Sequence, residues 1–319
     1  MAARRSTRRR FDDDTWEPPS APAHERSAPP HSTVQGLVVD ERTPEDVEDE
    51  PTWSTYRDAQ RGPHPVPAWV VTDPRAIDVE HGVVKSGKEA DVSVLERALP
   101  PDALDTVRAD AATRCLLAVK RYRTAEHRMF HRDAGYLEGR RVRRSREMRA
   151  MATRTTFGRE LIAGQWAAAE FEVLSRLWSR GAAVPYPVQL LGTELMMELI
   201  GEAEGPDAGT AAPRLAQLRP TVSEAADLYH QLAVVLTDLA EIGYAHGDLS
   251  AYNVLVHDGR LVLIDLPQAV DLVGNPQGFE YLRRDCANIA TWFAAHGAAH
   301  AAAADLFDRV TRGVPGLSR

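Results

Sequence analysis

Asp248, Asn253 and Asp265 are the residues whose types and spacing most directly suggest chemistry. They lie in the run HGDLSAYNVLVHDGRLVLID, from His246 to Asp265. Val254 to Val256 and Leu261 to Ile264 are short, apolar and β-branched, and Asp258-Gly259 between them is a strong hairpin signal. A two-residue turn there pairs His257 with Arg260 and, counting outward, Asn253 with Ile264. Asn253 and Asp265 are thus expected side by side at the open end of the hairpin, with Asp248 on the loop before it. An amide and a carboxylate so placed suit a hard cation such as Mg²⁺, which keeps waters and substrate phosphates among its ligands. Mn²⁺ prefers the same oxygens. Asp248 is left to orient or deprotonate an attacking hydroxyl.

That division of labour belongs to protein-kinase-like phosphotransferases, in which a loop Asp precedes an Asn and a second Asp ends the next hairpin. A helix upstream points the same way. Trp166, Glu170, Val173, Leu174 and Leu177 share one helical face in the segment from about Ile162 to Arg180. Glu170 therefore sits in an apolar stripe, where an unpaired carboxylate is costly to bury. Lys120, at the end of the apolar strand Leu116 to Val119, is the expected partner. A buried Lys–Glu pair that also holds the α- and β-phosphates of ATP is a second mark of kinase-like folds. The third element is the turn Lys85-Ser86-Gly87-Lys88-Glu89-Ala90. It has a single glycine, so it is neither a Walker A loop nor the three-glycine kinase loop. Its place one strand before Lys120 suits a phosphate-covering hairpin, with backbone N–H groups near Ser86 and Gly87 and the Ser86 hydroxyl as donors.

The elements that must position these groups imply an α+β, bilobal, kinase-like fold. An antiparallel-sheet lobe is expected over 71–200 and a helical lobe over 201–319, the latter carrying a long helix from Val222 to Ile242. Residues 1–70 read as a disordered tail, rich in Pro, Ser and charge. It holds a basic run (Arg4 to Arg10) and then an acidic one (Asp40 to Glu50). The stretch 121–160 reads as a flexible, Arg-rich loop. Across 319 residues the chain is 44% hydrophobic and 26% charged, an ordinary globular composition. No run approaches the roughly 18–20 apolar residues needed to span a bilayer. Basic residues at the N-terminus lack an apolar region behind them, so they do not form a secretory signal. Two cysteines, Cys115 and Cys286, make neither a metal cluster nor a disulfide framework. A reduced, cytoplasmic setting follows, and a net charge of −8 argues against a chain that coats nucleic acid over its whole surface.

SGKEADV, the LAVK strand, HGDLSAYN, LIDLPQAV and YLRRDCANI together resemble the RIO family of atypical serine/threonine protein kinases, in order and at fitting separations. The GKEA form of the loop is similar to the first RIO subfamily; the second carries Ser after the Glu and an N-terminal winged helix, for which the proline-rich start leaves no room. The likeness covers about Ile77 to Gly297. It implies ATP as phosphoryl donor, with Lys120 on its α- and β-phosphates and paired with Glu170. Ser86, Gly87 and Lys88 would cover the phosphates, Asp248 would be the catalytic Asp, and Asn253 and Asp265 would bind Mg²⁺. Met197-Glu198-Leu199-Ile200 would form the hinge, Glu198 and Ile200 holding adenine through their backbone. Leu-Pro-Gln follows Asp265 in place of Phe-Gly, and no Ala-Pro-Glu follows, so a peptide-substrate groove is not implied.

Three functions share these residues. One is a serine/threonine protein kinase acting on another protein or on itself. Another is an ATPase-driven switch acting on a ribosomal or RNA-containing partner, as archaeal and eukaryotic RIO proteins assist small-subunit maturation. The arginine cluster Arg140, Arg141, Arg143, Arg144, Arg146 and Arg149 would then contact RNA or an acidic protein, although as a solvated loop it needs no partner. The last is a small-molecule kinase of the aminoglycoside or choline type, which HGDLSAYN alone would also fit. Its acceptor pocket needs an extended acidic helical region, whereas the C-terminal stretch here is Ala-rich with only Asp305 and Asp308.

Overall fold

In the computed structural model of the chain, the described residues are 52–123, 156–298, 300–312 and 314. Residues 1–51 and the arginine cluster from Arg140 to Arg149 lie outside them. Seven strands form one antiparallel sheet: β1 (Thr52–Trp53), β2 (Gln60–Arg61), β3 (Ile77–Ser86), β4 (Ala90–Ala98), β5 (Arg114–Tyr122), β6 (Pro187–Leu191) and β7 (Glu194–Glu198), in the order β1-β3-β4-β5-β7-β6-β2. A short helix α1 (Pro101–Leu104) separates β4 from β5, and α2 (Thr156–Trp178) comes before β6. The second half holds α3 (Val222–Glu241), β8 (Tyr244–Ala245), the hairpin β9 (Val254–His257) and β10 (Arg260–Leu263), β11 (Val270–Asp271), α4 (Gly278–Ala295) and α5 (Ala303–Thr311). This is the α+β, two-lobed, kinase-like arrangement: a curled antiparallel sheet with one long helix and one short one, followed by helices and a hairpin.

The sheet must curl, because β1 and β2 sit at its opposite edges yet are close in sequence. From Trp53 to Gln60 an extended chain reaches about 24 Å at most, whereas six strand spacings across a flat sheet need about 29 Å. The strap that joins the edges is fastened at both ends. Thr52 and Trp53 pair with Asp78 and Ile77, and Gln60 and Arg61 with Leu190 and Gln189. Ordered structure therefore begins well before the predicted boundary at residue 70. Tyr56, Val70 and Val71 are buried together with Leu117, Val119 and Val188. Few apolar residues in a polar, proline-containing stretch suffice when a curved sheet face is there to receive them.

A buried arginine locks this side of the sheet. Arg97 is fully inaccessible and forks onto Asp78, with Nε–Oδ1 at 2.7 Å and Nη2–Oδ2 at 2.8 Å. Its Nη1 reaches Gln189 Oε1 at 2.9 Å, and Gln189 in turn donates to Thr55 Oγ1 of the strap at 2.8 Å. Two-pronged guanidinium–carboxylate contacts are short and directional, so they set the register of strands distant in sequence.

On the opposite side, α2 contributes Trp166, Val173, Leu174 and Leu177 to a core shared with Leu195, Met197 and the helices α3 and α4. The helix starts at Thr156, earlier than the expected Ile162, and is followed by Gly181 with φ +80°. The stretch expected as a loop over 121–160 is thus strand at its start, through Tyr122, and helix at its end. Helix α3 opens with a capping box: Glu224 N–H donates to Thr221 Oγ1 at 3.3 Å and Thr221 N–H to Glu224 Oε2 at 2.8 Å. Among the described residues no helix is long and apolar enough to cross a membrane.

Candidate functional site

Strand β5 extends past Lys120 to Tyr122, and alternation sends both side chains inward against α2. Lys120 Nζ lies 2.9 Å from the Glu170 carboxylate and 2.6 Å from Asp265 Oδ1. Glu170 is 1% exposed, so its charge needs every partner available. It also accepts the Tyr122 hydroxyl and, at 2.9 Å, the Leu266 N–H. That last bond ties the helix to the residue following Asp265. Burial works against the Lys120 charge, but the two carboxylates outweigh it and hold the ammonium above its usual range. Burial alone would raise the Asp265 carboxyl; Lys120 beside it brings it down to about 2.

The hairpin has the register that Asp-Gly implies. His257 faces Arg260, Val254 faces Leu263, and Ile264 N–H donates to the Asn253 carbonyl at 3.0 Å. Asp265 follows in a left-handed conformation, φ +69°, which non-glycine residues seldom adopt. Asn253 Nδ2 donates to the Asp248 carbonyl at 2.9 Å, so its own carbonyl oxygen stays available as an acceptor. His246 bridges loop and hairpin. Its Nε2 contacts the Ile264 carbonyl at 3.1 Å, which makes Nε2 the protonated nitrogen and leaves Nδ1 to accept the Asp248 N–H at 3.4 Å.

The loop that carries Asp248 is held from below by a residue the sequence reading did not assign to the site. Asp285, fully buried in α4, accepts the Gly247 N–H at 2.8 Å and the Leu249 N–H at 3.0 Å. These donors flank Asp248, whose side chain is exposed. Gly247 has φ +83°, and a Cβ there would stand 2.7 Å from the Gln268 carbonyl oxygen, so no other residue fits without a shift. Glu89 was also missed. It reaches across from the glycine turn to accept Gln268 Nε2 at 2.8 Å, and burial, with Asp265 and Asp248 nearby, pushes its carboxyl up.

Between the sheet and the hairpin lies a cleft of about 850 Å³. Gly87, Lys88, Lys120, Glu170, Glu198, Ile200 and Asp265 line it, together with apolar Val92, Ala118, Met197 and Leu255. Ser86 does not. Its hydroxyl donates to Asp91 Oδ1 at 2.7 Å and accepts Arg123 Nη2 at 2.7 Å, and the Gly87 N–H is taken by the Ala90 carbonyl at 3.0 Å. Two of the donors expected to meet phosphate, the Ser86 hydroxyl and the Gly87 N–H, are therefore spent within the turn in this conformation. At the rear wall Glu198 is held by Tyr186, N–H to carboxylate at 3.0 Å, and the Ile200 carbonyl accepts the Ala212 N–H at 2.8 Å.

The donor set fits a nucleotide carrying a divalent cation. The Lys120 ammonium and the Asp265 carboxylate line a cleft large enough for a nucleotide, and Asn253, which does not line it, is bonded through its backbone carbonyl to Ile264, the residue before Asp265. Among the described residues no group of three or more His, Cys, Asp and Glu is disposed to hold a metal alone. The remaining ligands would have to be phosphates and water, as Mg²⁺ prefers.

Comparison with known proteins gives the chain a family. The RIO domain matches residues 107–306. The chain belongs to the RIO family. Among curated RIO proteins, the RIO-type serine/threonine-protein kinase Rio1 of Haloferax volcanii is 40% identical over 133 residues, 42% of this chain and 43% of that one. Human serine/threonine-protein kinase RIO1 is 33% identical over 147 residues, 46% of this chain and 25% of that one. The aligned region thus spans less than half of either relative. Of solved structures, the Rio2 kinase–ADP/Mg²⁺–phosphoaspartate complex from Chaetomium thermophilum has a TM-score of 0.49 and 20% identity, covering 74% of this chain and 62% of that one.

Proposed function

We propose that this RIO protein is an ATP-dependent serine/threonine phosphotransferase that acts on a protein hydroxyl, its own included. The observation that carries this reading is Lys120 seated between Glu170 and Asp265 at 2.9 and 2.6 Å, beside the pinned Asp248 loop. Lys120 would hold the α- and β-phosphates, with Glu170 fixing its ammonium. Gly87 and Lys88 would cover the phosphates, and the backbone of Glu198 and Ile200 would meet adenine at the rear wall. Asn253 and Asp265 would hold Mg²⁺, which when bound offsets the negative charge of the phosphate oxygens. Mn²⁺ could take its place on the same oxygens.

Asp248 would accept the proton of the attacking hydroxyl. Its exposure lets an acceptor approach, while Asp285 and Asn253 keep its backbone from drifting. Positioning of this kind accounts for most of the rate in phosphoryl transfer, where the protein forms few covalent bonds of its own. The two buried, unpaired cysteines suit a reducing, cytoplasmic setting. On sequence alone, the arginine cluster from Arg140 to Arg149 is where an RNA or acidic partner would bind.

The test is [γ-³²P]ATP with Mg²⁺ on wild type and Asp248→Ala, following protein labelling and free phosphate with and without RNA. Labelling by wild type and its loss in Asp248→Ala, with nucleotide affinity within about threefold, is expected. Undiminished transfer in the variant would sink the role of Asp248. RNA-dependent phosphate release without labelling would replace the kinase reading by an ATPase switch.

A further inference from the structure

The chain has 38 lysines and arginines, and only three are lysine: Lys85, Lys88 and Lys120. All three line the one cleft described above. Everywhere else, on strands, helices and loops alike, this chain uses arginine for positive charge. Guanidinium and ammonium are not equivalent. The first is a broad planar fork, the second a compact charge whose donors can turn to meet tetrahedral oxygens. Lysine confined to a single cleft marks the places where the compact charge is needed.

Lys120 is accounted for by Glu170 and Asp265, and Lys88 by the turn over the phosphates. Lys85 is not. It lies at the end of β3, opposite Val92 on β4, and its side chain is exposed on the cleft wall. It has no hydrogen-bond or ion-pair partner among the described residues. We propose that Lys85 is a nucleotide-contacting residue that binds the terminal phosphoryl group of ATP. This rests on the nucleotide reading of the cleft.

The assignment to the terminal group follows from position. Lys120 lies on the floor, beneath the inner phosphates. Lys85 reaches the cleft from the sheet side, at the end of β3, and Asp265 lines the same cleft from the end of the hairpin. Asp265 marks the end of the cleft where the metal and the last phosphate would sit. An ammonium on the same cleft as that carboxylate offsets charge at the group being transferred, the point where preorganised positive charge does most for phosphoryl transfer.

The experiment is calorimetric titration of ATP and of ADP, each with Mg²⁺, into wild type and Lys85→Met. The expected result is a loss of about tenfold in ATP affinity, the scale of one charge-assisted contact, with ADP affinity changed less than about twofold. Retained ADP binding also shows that the variant is folded. Equal weakening of both nucleotides, or no weakening of ATP, would overturn the assignment. Failure of the wild type to bind either nucleotide would instead remove the reading on which it rests.

Discussion

Asp285→Asn is the substitution whose consequences can be worked furthest. The carboxylate accepts two backbone N–H groups, at 2.8 and 3.0 Å, in a fully buried place. Hydrogen bonds to a charged acceptor contribute about 1.5–3 kcal/mol each. An amide of the same shape offers one oxygen, so one bond survives as a neutral one of about 1 kcal/mol. The other N–H then faces an NH₂ group and becomes an orphan donor, which costs about 1–3 kcal/mol. Against this, burial raises the Asp285 carboxyl above its usual range, and the neutral amide escapes that penalty. The lost bonding and the orphan donor sum to about 3–8 kcal/mol; with the relieved burial set against them, a net loss at the low end, about 3 kcal/mol, lowers Tm by about 6–12 °C for a domain of this size. The loop carrying Asp248 would drift, whereas the Lys120–Glu170 pair lies elsewhere. Turnover should fall at least about tenfold with ATP affinity nearly unchanged, since a misplaced base costs rate rather than binding. Thermal unfolding and a kcat/KM split on the same preparation measure both. A Tm within about 2 °C of wild type together with wild-type turnover would refute the anchoring argument.

The buried arginine makes a second prediction: Arg97→Met strands Asp78 and should cost about 3–5 kcal/mol in urea unfolding, while Arg97→Met with Asp78→Leu should recover part of it. A double variant as unstable as the single one would mean that the pair is not the source. The third concerns acid. The folded-state Asp265 carboxyl, lowered from 3.8 to about 2, contributes stability that is complete above the unfolded value and is lost as pH falls through the folded one. Between pH 5 and 2 wild type should therefore lose about 2 kcal/mol more than Asp265→Asn; parallel acid-unfolding curves would contradict this.

What could be read from the residues was whatever had a short period or a local turn. Asp258-Gly259 between β-branched runs determines the hairpin register by counting, and so places Asn253 next to Asp265. A 3.6-residue stripe places Glu170 inward, and a buried carboxylate requires a cation, which Lys120 supplies. What could not be read depends on long-range pairing. Arg97 looks like any strand arginine, because Gln189 is distant in sequence and nothing local marks either as buried. Asp285 binds main-chain groups in a loop far upstream, and backbone donors carry no sequence identity. Strands of two residues, β1 and β2, have no alternation to detect, so the segment containing them read as tail. Ser86 was assigned by analogy of place, and Asp91 and Arg123 compete for it because they flank the same turn.

The strap between β1 and β2 has a consequence for the order of assembly. Its two ends bond to Ala76 and Val188, Ser54 N–H to carbonyl at 2.9 Å and Gly62 N–H to carbonyl at 3.0 Å. Those acceptors lie on opposite sides of the sheet, so the segment cannot be fastened at both ends until every strand between them is paired and the sheet has bent. Closure at both ends is therefore a late event in assembly, since either end alone can pair with its neighbouring strand. Departure of the segment frees Thr55 from Gln189 and slackens the grip on Arg97. The lobe above the cleft thus behaves like a hoop closed by a clasp, and its stiffness depends on a short segment that its polar composition would have marked as dispensable.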